Sequence, residues 1–174
     1  LPLRGNDLLL LRPGATWTYR FTNEAPGNSS EHRYEVTGEV PVDGGTCTEL
    51  KVHDGTYEYW AARDDGIYLH RNAGRGDRRV DTRGKPYLIL LCPPRVGATW
   101  EWTDSGSVQI MNGNSYPPEE TLRILFKATV ESIDDSVTVP AGNFRTVRVT
   151  IVATGYTNST ETYWFAPGVG IVKR

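Results

Sequence analysis

His32, His53 and His70 are the only imidazoles in the chain, so acid–base chemistry near neutral pH would have to draw on them. A hydrolase needs a nucleophile, a base beside it and a third group that orients the base. His53-Asp54 is an adjacent imidazole–carboxylate pair, but Gly55 follows it, and the three residues read as a strand end entering an Asp-Gly turn. There is no Gly-x-Ser-x-Gly elbow and no His-Glu-x-x-His zinc motif. His70 aligns with Lys173 of a similar later segment and is expected at an outward, polar position. Asp64-Asp65 and Asp134-Asp135 are adjacent acids, whereas glycosidase carboxylates must face each other across a cleft. Calcium would ask for more oxygen ligands than either pair supplies. Cys47 and Cys92 fall short of the four ligands of a structural zinc site. For these two, a disulfide and a pair of buried, small apolar side chains both remain open. No glycine-rich loop precedes a helix, so nothing points to a nucleotide. The expectation is a protein that is not an enzyme and takes no cofactor or metal.

Two other sets of residues could make contacts. Trp17, Trp60, Trp100, Trp102 and Trp164, with Tyr57, Tyr59 and Tyr163 beside them, are candidates for an apolar groove holding a lipid, sugar or peptide. The competing reading is core and cross-strand packing, the usual use of aromatics at alternate strand positions. The second set is basic: Arg71, Arg75, Arg78, Arg79, Arg83 and Lys85, with Asp77 and Asp81 as the only acids among them. This stretch is a solvated loop or a contact for acidic lipid headgroups or an acidic protein surface. The whole chain has a net charge of −2, which argues against a general nucleic-acid binder.

The elements that must position these residues read as strands. Eighteen Gly and eleven Pro among 174 residues signal many turns. Trp17, Tyr19 and Phe21 alternate with Thr16, Thr18 and Arg20; Tyr34, Val36, Gly38 and Val40 alternate with Arg33, Glu35, Thr37 and Glu39. Val147, Val149, Ile151 and Ala153 repeat the pattern near the end. Pro117-Pro118-Glu119-Glu120 looks like a helix start, yet Leu122, Ile124, Phe126, Ala128 and Val130 alternate, and a strand is favoured there. Segments also recur in order. "GATWTY" at 14–19 matches "GATWEW" at 97–102, "ELKV" at 49–52 resembles "TVRV" at 146–149, and "YEYWAARDDGIYLHR" at 57–71 matches "ETYWFAPGVGIVKR" at 161–174. The chain is therefore read as one β-domain, 1–174, made of pseudo-repeats at 8–71 and 92–174 with a basic connector at 72–91. The fold class expected is all-β: a strongly curved antiparallel sheet, half-barrel or barrel-like, of about ten strands. Gly66 and Gly170 are expected to serve turn geometry, with Trp60 and Trp164 packed beneath the turns.

"VGATW" (96–100), "VTVPAGNFRTVRV" (137–149) and "YWFAPGVGIVKR" (163–174) resemble a group of bacterial exported proteins and lipoproteins. That resemblance implies a curved antiparallel sheet similar to the half-barrels of lipoprotein carriers, and it supplies no catalytic residues. Unlike those carriers, this chain has no clear long helix to plug the concave side. Leu1 in place of Met and the short apolar run Leu8–Leu11 are read as a mature, exported form, periplasmic, cell-surface or extracellular. The function expected is an interaction or structural module, an accessory subunit with a protein partner or membrane surface; the alternative is a carrier or sensor of an apolar ligand on the concave face.

Overall fold

The computed structural model of the protein describes residues 2–22, 29–42, 45–73, 85–106, 122–155 and 158–174. One helical turn, α1 (Gly5–Leu8), precedes eleven strands: β1 (Thr16–Thr22), β2 (Ser29–Val42), β3 (Gly45–Val52), β4 (Tyr57–Arg63), β5 (Gly66–Ala73), β6 (Tyr87–Leu91), β7 (Thr99–Gly106), β8 (Leu122–Val139), β9 (Gly142–Gly155), β10 (Ser159–Ala166) and β11 (Gly170–Lys173). The fold is all-β, antiparallel and strongly curled into a half-barrel. The strands do not form one sheet, however. They form two meanders, β1 to β6 in order and β7 to β11 in order. Pairing breaks after β6, where Pro93 and Pro94 have no N–H to donate to a ladder. The residues in the ambiguous apolar stretch, Leu122 onward, belong to β8.

Segments that match in sequence sit at matching places in the two sheets. Before β1, the Gly14 N–H donates to Val36 O and the Val36 N–H to Ala15 O; before β7, the Gly97 N–H donates to Val130 O and the Val130 N–H to Ala98 O. Gly14 and Gly97 have φ of 81° and 80°, a region other residues enter only with strain. A bulge follows each contact, between Val36 and Gly38 on β2 and between Val130 and Ser132 on β8.

The inner faces of the two meanders pack on each other. Val36, Val52, Trp60 and Ile67 meet Val130, Val149, Tyr163 and Phe165, all of them buried. Burying each such side chain contributes about 1.5–3 kcal/mol. Cys92 lies in this core, and Cys47 lies in a smaller cluster with Val42 and Ala61; the two do not form a disulfide. One end of the half-barrel is closed by α1. Gly5 packs so tightly that a Cβ there would lie 2.4 Å from both Arg63 O and Gly66 O in the β4–β5 turn. From the same turn of helix, Asp7 O accepts the Gly168 N–H of the β10–β11 turn at 2.8 Å. Leu8 and Leu9 enter the core from α1.

Where the sheets meet edge to edge, side chains rather than ladders join them. Tyr19 Oη on β1 donates to Ile171 O on β11 at 2.7 Å. Trp100 Nε1 on β7 donates to Leu88 O on β6 at 2.6 Å. The strand directions put α1 at the ends of β4 and β10 and the starts of β5 and β11, so the opposite end of the half-barrel is left to the starts of β4 and β10.

Candidate functional site

At the end opposite α1 the sheets part around a cleft of about 450 Å³. Its wall from the first sheet comes from His32 and Tyr34 on β2, the turn after β3, and Glu58 on β4; its wall from the second comes from Thr160, Glu161 and Thr162 on β10. Arg174, after β11, lies between them.

The turn is built by its own side chains. Gly55, with φ of 86°, lets the chain reverse, and the Val52 N–H donates to Thr56 O at 2.8 Å. Asp54 Oδ1 accepts the Thr56 amide at 2.9 Å and the Thr56 hydroxyl at 2.7 Å. These bonds to the charged form hold the Asp54 carboxyl below its ordinary pKa. The His53 ring lies 4.2 Å from that of His32, whose Nε2 is 3.0 Å from Ser30 Oγ.

Glu58 shares the inward face of β4 with Trp60, and Trp60 Nε1 donates to Glu58 Oε2 at 2.8 Å. The other Glu58 oxygen faces Arg174 Nη1 at 3.4 Å, and its side chain is 14% exposed. Arg174 Nε donates to Glu161 Oε1, and the guanidinium carbon stands 5.1 Å from the centre of the Tyr163 ring. One guanidinium thus ties a carboxylate of the first sheet to a carboxylate of the second over an aromatic face. Burial opposes the charge on Arg174, but Tyr163, Glu161 and Glu58 outweigh it and raise the pKa above the ordinary arginine value. Burial also pushes up the phenols of Tyr19, Tyr34 and Tyr163 around this cluster.

The cleft can therefore offer hydrogen-bond acceptors, hydroxyls and a paired charge. The two glutamates are both paired with Arg174. Among the described residues there is no group of three or more His, Cys, Asp or Glu side chains able to hold a metal ion.

The residues singled out in the sequence are scattered. Trp17 and Trp60 do meet, beside Tyr19 and Leu50, around an apolar recess of about 20 Å³ next to the cleft. Trp102 instead stacks on Phe126 at 5.2 Å and 5°, with Tyr87 alongside, and Trp100 sits at the β6–β7 edge. Trp164 is not packed beneath its turn. It lies on the face of β10 opposite the buried Tyr163 and Phe165, with Lys173 Nζ 4.6 Å from its ring. The registers of the two hairpins also differ: the β4–β5 pair shifts between Tyr59 and Trp60, the β10–β11 pair between Trp164 and Phe165. The β4–β5 shift corrects His70. Trp60 pairs with Leu69 and Tyr59 with Arg71, so His70 is the extra residue of a bulge, and it is buried rather than outward. Gly66 has no positive φ; it is needed because a Cβ would lie 2.6 Å from Leu90 O and 2.7 Å from Leu88 Cδ1. Gly170, at φ of 118°, does serve its turn.

Of the basic candidates, Lys85 is exposed just before β6 and Arg71 lies on β5 opposite Tyr59. Arg75, Arg78, Arg79 and Arg83 lie outside the described residues. Sequence reading missed Glu58, Glu161 and Arg174. A signal was present: Glu58 shares its strand face with Trp60, and Glu161 with Tyr163, so each acid is in phase with a core aromatic and calls for a buried cation. Comparison of the chain with protein-family models, with curated proteins and with solved structures finds no match.

Proposed function

We propose that the protein is a non-enzymatic interaction module, exported and serving as an accessory subunit of an envelope or extracellular assembly, and that it takes a polar ligand or a partner's polar segment in the mouth cleft. One contrast carries this reading. The polar cleft offers about 450 Å³, whereas the apolar recess beside it offers about 20 Å³, room for roughly one water. The concave face is otherwise filled by the core side chains. A lipid or other apolar ligand would need a cavity of several hundred Å³, so the carrier alternative is the weaker reading.

The test is a nitrogen-15 NMR screen with small polar compounds of either charge and with polar peptides, paired with mass spectrometry of the denatured native-source protein. Shifts confined to the amides of Glu58 and Thr160 to Thr162 are expected. Stoichiometric copurified lipid, or no response at the cleft to any probe, would overturn the reading. The basic stretch is proposed as a second contact, to a protein or an anionic membrane, through Arg71, Arg75, Arg78, Arg79, Arg83 and Lys85. Reversing Arg78 and Arg79 to Glu should abolish association; unchanged association would remove this contact.

A further inference from the structure

We infer that the mouth cleft is a guanidinium-recognition site and that Arg174 fills its seat in the unliganded protein as an internal stand-in for the ligand. The inference rests on the cleft-binding function just proposed and names the chemistry it reads.

The seat has three walls, none of them on the strand that carries Arg174. Glu58 is oriented by Trp60 Nε1 at 2.8 Å, and Trp60 is itself 1% exposed. Glu161 comes from the other sheet, two residues before Tyr163 on the same face of β10. Tyr163 is 1% exposed and presents its ring to the guanidinium. Two carboxylates at different edges and an aromatic face beneath suit a flat cation with several N–H donors, the geometry of guanidinium and not of a compact ammonium. A carboxylate as enclosed as Glu58 is costly to leave without a cation, so the seat demands an occupant of this class.

Arg174 is a replaceable occupant. Its side chain is 30% exposed at the mouth. The strand that delivers it, β11, has four residues, pairs with β10 at three positions with a register shift among them, and is held on its β1 side by the Tyr19 hydroxyl. In front of the seat lies the open cleft, with Thr160, Thr162 and Asp54 along its walls beside the body of a ligand. With Arg174 seated, the three lining carboxylates Asp54, Glu58 and Glu161 still outnumber it, so the field at the mouth draws cations in. The ligand is thus an arginine side chain on an extended peptide, or a free guanidinium compound of similar reach.

The experiment is calorimetry with three probes: agmatine, a blocked Gly-Arg-Gly peptide and its Gly-Lys-Gly counterpart. They are titrated into the wild type, R174A and the double variant R174A/E161Q, with thermal melts to confirm folding. R174A should bind the guanidinium probes at least about tenfold more tightly than wild type, because it has no internal competitor, and the lysine peptide more weakly than the arginine peptide. Adding E161Q should remove at least about tenfold of that gain. Equal affinity for agmatine and the peptide identifies the guanidinium alone as the feature read; tighter binding of the peptide identifies an arginine in a peptide; both uphold the inference. No gain in R174A, no loss with E161Q, or a preference for lysine overturns it. If R174A does not fold, R174K keeps the charge without the planar fork and must still bind the guanidinium probes more tightly than wild type, or the inference fails. Should neutral or anionic probes shift the cleft amides while guanidinium probes do not, the polar-cleft function stands and this inference alone falls.

Discussion

At the scale of single residues, Trp60 and Trp164 follow a tyrosine in the same Tyr-Trp pair but have opposite fates. Trp60 packs edge-on to Tyr163 across the core, centroids 6.5 Å apart, whereas Trp164 lies under Lys173 on the outside. Trp60→Ala should therefore cost about 3–5 kcal/mol, the range for emptying an aromatic from a core. Trp164→Ala should cost about 1 kcal/mol, chiefly the cation–π contact. Urea denaturation of the two variants checks the contrast, and similar losses would show that the assignment of faces is wrong. The alternation of each strand was legible in the sequence, so Tyr163 and Phe165 could be placed on the face opposite Trp164, but which of the two faces is buried could not be read. The one-residue offset between the two bulges could not. A bulge changes which side chains face inward without changing the local composition. The acids of the cleft were half legible: phase placed Glu58 with Trp60 and Glu161 with Tyr163, but nothing local says that a residue 116 positions from Glu58 supplies the cation.

At the scale of elements, the devices that hold strands together differ along the half-barrel. Within each sheet, ladders do the work, and they leave some places with no room for a side chain. Gly66, between β4 and β6, is one: its missing Cβ is replaced by contact with Leu90 O and Leu88 Cδ1. Gly66→Ala should destabilise by about 1–3 kcal/mol through overpacking, with β5 and β6 forced apart. Its effect is expected on the thermal midpoint and on amide exchange at Leu88 to Leu90; a neutral substitution would mean that the two strands separate freely. Between the sheets, among the described residues, a side-chain bond takes the place of a ladder at each edge. Tyr19→Phe removes the hydroxyl that reaches Ile171 O and should cost about 1 kcal/mol in denaturant stability, with faster exchange along β11. An unchanged exchange rate there would show that the phenol is not a latch. These edge contacts were not legible in the sequence. Strands and turns follow from local period and composition, but which edges meet is decided by twist and closure, which are properties of whole sheets.

At the scale of the whole molecule, the mouth gathers groups whose protonation is tied to folding. Tyr19, Tyr34 and Tyr163, from β1, β2 and β10, all have pKa values raised by burial; at the opposite end, beside α1, Cys92 is pushed up to about 11 by burial with Asp65 and Asp7 nearby. In the unfolded chain a tyrosine titrates near 10 and a cysteine near 8.5. At any pH above those values the native state binds more protons than the unfolded state, so stability falls as pH rises. The contribution of the three phenols is complete below about pH 10 and is lost as pH climbs through their higher native values. Asp54 works in the opposite direction: its lowered pKa gives stability that is present above the ordinary carboxylate range near 4 and lost as pH falls through the native value. Stability should thus be broad and flat through neutral pH, bounded below by acid and above by a steep alkaline edge. Urea midpoints from pH 8 to 11.5, followed with tyrosinate absorbance, test the alkaline side. Of the nine tyrosines, Tyr19, Tyr34 and Tyr163 should ionise only together with unfolding, and Tyr19→Phe should make the alkaline edge shallower by removing one of the linked protons. If all nine ionise near pH 10 with the far-ultraviolet dichroism unchanged, the phenols are open to water, and the packing that buries Tyr19, Tyr34 and Tyr163 between the sheets does not exist in solution.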